Sequence, residues 1–170
     1  SFPTRRSSDL LVNCASVFEE DSFATFNRAS WDTHLETNLR APLVLAQAFA
    51  RRIVGERRGL IVNILDQRVW RPTPEFFSYS ISKAALWDAT RMMAQALAPR
   101  IRVNAIGPGP VLPSIHQQGD DFDREVDTTL LQRSVDPAEI GKALAYLIDA
   151  TSVTGQMIAV DAGQHLAYRP

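Results

Sequence analysis

Apolar residues recur along this chain in two alternating rhythms, short continuous runs and longer helical stripes. "LLVNCAS" is an apolar run that ends in small polar residues, which predicts a buried strand leading into a loop. Ser30 then offers a helix N-cap, with Asp32 in the first turn. Leu35, Leu39, Leu43, Ala46, Phe49/Ala50 and Ile53 follow at helical spacing, so one face of that helix is expected to be buried. Gly55 and Gly59 bracket a turn before "LIVNIL", Leu60 to Leu65, a second buried strand. A helix rich in Ala, Met and Leu is predicted from about Phe76 to Pro99, which stops it. "IRVNAI", Ile101 to Ile106, predicts a third strand, broken by "GPGP". From Pro113 to Val135 the chain is polar and weakly periodic, as a mobile segment would be. Asp136-Pro137-Ala138-Glu139 combines an N-cap Asp, a first-turn Pro and a Glu, so it starts a helix that runs to about Asp149. "QMIAV" closes the series as a last strand.

Continuous apolar strands joined by helices of a dozen residues or more imply a parallel α/β sheet covered on both faces. Ligands of such open sheets bind beyond the carboxyl ends of the strands. Asn13, Ser16, Asp66 and the "GPGP" segment all fall at those ends.

Composition narrows the picture. The chain has 170 residues, of which 45% are hydrophobic, which suits one domain with a buried core. A net charge of -1 argues against a nucleic-acid or anionic-membrane partner. Arg51-Arg52 and Arg57-Arg58 fit a solvated helix end, where cations suit the dipole. No run approaches the roughly 18 apolar residues that a membrane span requires. One cysteine, Cys14, excludes an internal disulfide, fits a reducing cytoplasm and is expected to be a buried structural thiol. No metal site, internal repeat or low-complexity tract is expected.

The sharpest chemical signal is "YSISK". Tyr79 and Lys83 are one helical turn apart and project from the same face. With three tyrosines and only Lys83 and Lys142 as lysines, chance gives such a pair an expectation of roughly 0.04. An ammonium beside a phenol favours phenolate and is expected to lower the phenol's pKa toward working pH. The tyrosine could then donate a proton to a developing anion. An exposed polar pair is the alternative if the motif stands alone.

It does not. "NCAS" after the first strand, Asn38 in the next helix, "YSISKAAL", "RVNAIGPGPV" and "TGQMIAVDAG" occur in order. Across residues 11 to 166 the sequence resembles the short-chain dehydrogenase/reductase family. That resemblance implies that Tyr79 is the catalytic acid and that Lys83 tunes it while holding a nicotinamide ribose. It implies that Asn13, Ala15 and Ser16 line the cofactor cleft. It also places the carboxamide against the backbone after Pro108-Gly109, near Val111. Pro42 lacks the N–H that would bond the Asn38 carbonyl, so a kink is expected there, with that carbonyl free for an ordered water. In the family this asparagine serves a proton relay toward the lysine.

One departure carries information. Most family members have a serine thirteen residues before the tyrosine, and here that position is Asp66. A carboxylate only accepts hydrogen bonds, so it repels a bare carbonyl oxygen and suits a substrate with N–H groups. The pteridine reductase and dihydromonapterin reductase branch has this exchange. "NLRAP" resembles its asparagine helix, and "NCASVF" places Phe18 where that branch uses an aromatic to sandwich a flat heterocycle. The resemblance implies reduction of a C=N bond in a pteridine or dihydrofolate-like substrate, with NADPH as cofactor and NADH as the alternative. A carbonyl reductase for ketones or 3-oxoacyl groups is one competing reading. A non-catalytic nucleotide-binding or interaction protein is another. The family commonly forms homodimers or homotetramers.

The Gly-rich phosphate turn of such folds does not occur in this sequence, and "GPGP" is unsuitable because its prolines remove donors. One back-translation of "SFPTRRSSDL" matches the end of a short-read sequencing adapter. Residues 1–10 are therefore expected to be non-native, and 11–170 to be the C-terminal part of a single reductase domain lacking its first three strands. Such a partial doubly wound sheet would leave an apolar edge strand, and the chain alone is expected to be inactive and poorly stable.

Overall fold

The computed structural model describes residues 9–167, so the expectation for the first eight residues lies outside the described part. Four strands, β1 (Asp9–Asn13), β2 (Gly59–Ile64), β3 (Ile101–Pro108) and β4 (Met157–Val160), form one parallel sheet in chain order. Asn13 is in register with Asn63, and Asn63 with Ala105, so the strands' carboxyl ends reach a common edge. β2 and β3 are buried almost throughout, as their unbroken apolar runs require. β1 is an outer strand among the described residues and is only partly covered. It begins at Asp9, two residues before the expected boundary.

Alternating side chains of the inner strands feed two cores. Ile61 and Val103 pack on one face with Ala46 of α2 (Ala41–Arg52), Ile53 at its C-cap and Ala94 of α3 (Phe77–Leu97). Leu60, Val62 and Ile106 meet Leu147 of α5 (Pro137–Asp149) on the other. Asp136 caps α5 as expected, accepting the Ala138 N–H at 2.8 Å.

Four details depart from the sequence-based expectations. The first helix starts earlier, as α1 (Arg28–Leu35): Asn27 is the N-cap, and Ser30 is its reciprocal partner in a capping box. The stripe from α1 to α2 is interrupted by a π-helical turn, Glu36–Arg40, in which the Ala41 N–H reaches back five residues to the Glu36 carbonyl. This is the form the kink at Pro42 takes. Cys14 is exposed, because the outer strand ends at Asn13 and leaves it beyond the sheet. Finally, the polar segment before α5 contains α4 (Asp121–Asp127). No α4 residue is buried, so it lacks the apolar stripe that would reveal it.

Candidate active site

Asp66 stands just past the end of β2 and caps a 3-10 turn, Gln67–Val69, with Oδ1 accepting the Arg68 N–H at 2.8 Å. That leaves Oδ2 facing α3, where it accepts the Tyr79 hydroxyl at 2.8 Å. Tyr79 and Lys83 share one face of α3, and both are buried. The Lys83 Nζ donates to the Ile64 carbonyl at 2.9 Å and lies 5.7 Å from the centre of the Tyr79 ring.

The electrostatics differ from the expectation for an isolated Tyr-Lys pair. Burial, then the Asp66 charge and the hydrogen bond to it, hold the Tyr79 phenol well above its ordinary pKa. Lys83 sits over the ring face, whereas the charge nearest the hydroxyl is the Asp66 carboxylate. Tyr79 is therefore a neutral acid in this state, not an incipient phenolate. Burial pulls Lys83 down to about 8, against the opposing influence of Asp66 and Cys14.

Asn38 organises the loop that follows β1. Its Oδ1 accepts the Val17 N–H at 2.8 Å, and its Nδ2 donates to the Val17 carbonyl at 2.9 Å. Ser16 Oγ also donates to Oδ1, at 3.2 Å. Nδ2 reaches Ser82 Oγ of α3 at 3.1 Å, and that hydroxyl donates to the Tyr79 carbonyl. The amide of Asn38 thus joins the loop to the helix that carries Tyr79. Asn13 points across the sheet instead, donating to Asn63 Oδ1 at 2.8 Å, while its own Oδ1 is buried without a partner among the described residues. Ala15 and Ser16 are exposed at the same strand end.

A cavity of about 400 Å³ opens beyond the carboxyl ends of β2 and β3. Phe18, Asp66, Tyr79, Pro108, Gly109 and Val111 all line it, so the structure brings these residues together. Gly109 is needed for close approach: a Cβ there would lie 2.6 Å from the Asp161 Cα. Lys83, Asn38, Asn13, Ala15 and Ser16 support the walls or lie beside the cavity without lining it.

Sequence reasoning missed several residues of this wall. Phe18 stacks on Phe76 with centroids 4.0 Å apart, and the Arg68 guanidinium lies 5.5 Å and 5.2 Å from the two ring centres. His116 lies edge-on to both rings, with Nε2 2.8 Å from the Phe18 carbonyl. Phe76 has a φ of 52°, a left-handed conformation that is strained for a bulky residue. It occupies the N-cap of α3 without capping it. The cap comes from Asp21, whose Oδ1 accepts the Ser78 N–H at 2.9 Å and whose carbonyl accepts the Phe77 N–H. Burial acts to raise the Asp21 pKa, but hydrogen bonds from Ser78 and Ser30 outweigh it and leave the carboxyl below its ordinary value. Asp21 and Ser78, and Phe18 and His116, are separated by tens of residues, and no local pattern marks them.

The arrangement can deliver a proton from Tyr79 to a group in the cavity while Asp66 accepts an N–H. A nicotinamide nucleotide fits beside it. The Lys83 ammonium has three donors and a single acceptor among the described residues, which leaves two for ribose hydroxyls. Among the described residues no group of three or more His, Cys, Asp or Glu could hold a metal ion. No described helix is long and apolar enough to cross a membrane.

Comparison with known proteins agrees with this geometry. The family model described as enoyl-(acyl carrier protein) reductase matches residues 4–165. Nodulation protein G of Rhizobium sp. (strain N33) is 32% identical over 160 residues, 91% of this chain and 65% of that protein. Dihydromonapterin reductase of Citrobacter koseri is 30% identical over 134 residues, 78% of this chain and 56% of that protein. The chain thus spans less than two thirds of the length of these two relatives. The crystal structure of FolM alternative dihydrofolate reductase 1 from Brucella suis, in complex with NADP, superposes with a TM-score of 0.92 at 51% identity. It covers 95% of this chain and 66% of that one. With its parallel sheet, its Tyr79–Lys83 pair and these matches, the chain belongs to the short-chain dehydrogenase/reductase family.

Proposed function

We propose that this chain is the larger part of an NADPH-dependent reductase that acts on the C=N bond of a pteridine or dihydrofolate-like substrate. The observation that carries the reading is the 2.8 Å hydrogen bond from Tyr79 to Asp66 at the mouth of an aromatic-walled cavity. A carboxylate at that place accepts the N–H groups of a pteridine and repels a ketone oxygen. Phe18 supplies a flat face for the heterocycle. The nicotinamide, when bound, supplies the hydride to carbon. Tyr79 supplies the proton to nitrogen, and Asp66 orients the tyrosine hydroxyl and the substrate. Lys83 holds the ribose, and the backbone at Pro108, Gly109 and Val111 offers groups for the carboxamide. The names of the dihydromonapterin reductase and alternative dihydrofolate reductase relatives support this substrate class.

The intact protein is read as a cytoplasmic homodimer or homotetramer. Val44 and Leu45 of α2 and Met92 of α3 expose apolar surface that a second copy would cover. The reading is tested by following NADPH oxidation by the intact protein with dihydrobiopterin, dihydrofolate and a simple 3-oxoacyl ester. Turnover confined to the pteridines supports it. Turnover confined to the ester would make this a carbonyl reductase, and no turnover with any substrate would favour a non-catalytic role.

A further inference from the structure

A second cavity, of about 380 Å³, adjoins the first and shares Gln67, Arg68, Glu125 and Gln164 with it. Arg71 and Arg124 complete its charged lining. The lining thus holds three guanidinium groups and one carboxylate. Glu125 does not neutralise them by direct pairing. Its two oxygens are taken by the amides of Gln117, at 2.7 Å, and Gln164, at 2.8 Å.

Among the described residues neither Arg68 nor Arg71 pairs with a carboxylate, and Arg124 has only an exposed ion pair with Asp121. Among the described residues Arg71 donates only to the Gln164 carbonyl, at 2.9 Å. Arg124 lies 3.8 Å from Asp121, too far for a hydrogen bond. Arg68 packs against Phe18 and Phe76 and makes no side-chain hydrogen bond among the described residues, although its Nη1 is fully buried. Beside it, the Gln67 side chain is buried, and its Oε1 also has no partner. Buried groups of this kind normally have partners, and a cluster of exceptions at the junction of two cavities calls for an explanation.

We propose that this second cavity is a subsite for an anionic tail on the substrate, with Arg71 and Arg124 pairing a carboxylate and Arg68 lying at the junction. The proposal rests on the pteridine reading and narrows it to conjugated substrates such as dihydrofolate, whose glutamate carries carboxylates. Guanidinium forks match carboxylates in geometry as well as charge. The Gln67 amide oxygen is placed to accept an N–H from the linking part of such a substrate.

The test is the ratio of kcat/KM for dihydrofolate to that for dihydrobiopterin, which lacks the tail, measured with NADPH on the intact protein. The ratio should favour dihydrofolate in the wild type. It should fall about tenfold in Arg71→Gln and in Arg124→Gln, mainly through KM. Arg124 is exposed on α4, so its substitution leaves the core untouched. A ratio that stays within about twofold in both variants would overturn the subsite while leaving the pteridine reading in place. No reduction of either substrate would overturn both. Dihydroneopterin monophosphate separates the two anion chemistries. If it is preferred over dihydrofolate and loses that preference in Arg71→Gln, the carboxylate assignment is wrong.

Discussion

The Tyr79 hydroxyl donates to the Asp66 carboxylate at 2.8 Å, and this contact reinforces the burial that keeps the tyrosine protonated. Burial is the largest influence raising the Tyr79 pKa, but the Asp66 charge and hydrogen bond add to it. Asp66→Asn removes the charge and keeps an oxygen that can cap the Arg68 N–H. The tyrosinate absorbance of Tyr79 should then titrate at lower pH than in the wild type. An unchanged midpoint would show that Asp66 does not control the tyrosine. Reduction of a pteridine should fall by about 10²-fold or more in the same variant.

Lys83 predicts a trade between stability and activity. Its pKa of about 8, against 10.5 in the ordinary state, means that folding disfavours the ammonium. Between these values the unfolded chain binds more protons than the folded one, so the Lys83 contribution to stability rises with pH. Below about pH 8 the cost is fully present, on the order of 3 kcal/mol. Lys83→Met should therefore raise the melting temperature of the intact protein at pH 7, despite losing the bond to Ile64, while abolishing reduction. The gain should shrink as pH rises from about 8 toward 10.5. A gain that grew over that range would contradict the assignment.

Asp21 acts on α3, the helix that carries Tyr79, from another segment. Asp21→Ala removes the acceptor for the Ser78 N–H and is expected to cost about 1–2 kcal/mol in denaturant unfolding. Because Tyr79 is the next residue, kcat should fall further than KM rises. Asp21→Asn can still accept the amide and should recover most of both. If the alanine variant lost stability with unchanged kcat, Asp21 would have no part in positioning Tyr79.

Asn38→Ala frees the loop after β1 from α3. The Val17 N–H and carbonyl and the Ser82 hydroxyl lose a partner together. Unfolding should become easier by about 2–4 kcal/mol. Hydrogen exchange at Val17 should speed up more than exchange in β2. Equal acceleration at both places would mean that the change is global.

Much of this architecture was legible along the chain. β2 and β3 announce themselves as unbroken apolar runs, and Asp136-Pro137 marks the start of α5. Tyr79 and Lys83 were legible because lysine and tyrosine are scarce in this chain and their spacing is local, and Asp66 because it stands where the family resemblance places a serine. Cys14 was misread because an apolar run does not say whether its strand lies inside the sheet or at its margin. The partners of the site were hidden for a different reason. Asp21 meets Ser78, His116 meets Phe18 and Glu125 meets Gln164 across long stretches of sequence. Nothing in the neighbourhood of either partner requires the other. α4 was hidden because polar contacts rather than an apolar stripe hold it.

Asp66 divides its two oxygens between a structural task and a chemical one. The structural task, closing a short turn, is one that serine, threonine or asparagine performs nearly as well. The backbone would therefore tolerate exchange at this position with little rearrangement. Only the oxygen that faces Tyr79 would change character, from obligate acceptor to a group that can also donate. A lineage could move between carbonyl and imine chemistry through one codon, with the scaffold indifferent to the outcome. If Asp66 selects the substrate as proposed, one side chain rather than a rebuilt backbone would separate the two chemistries.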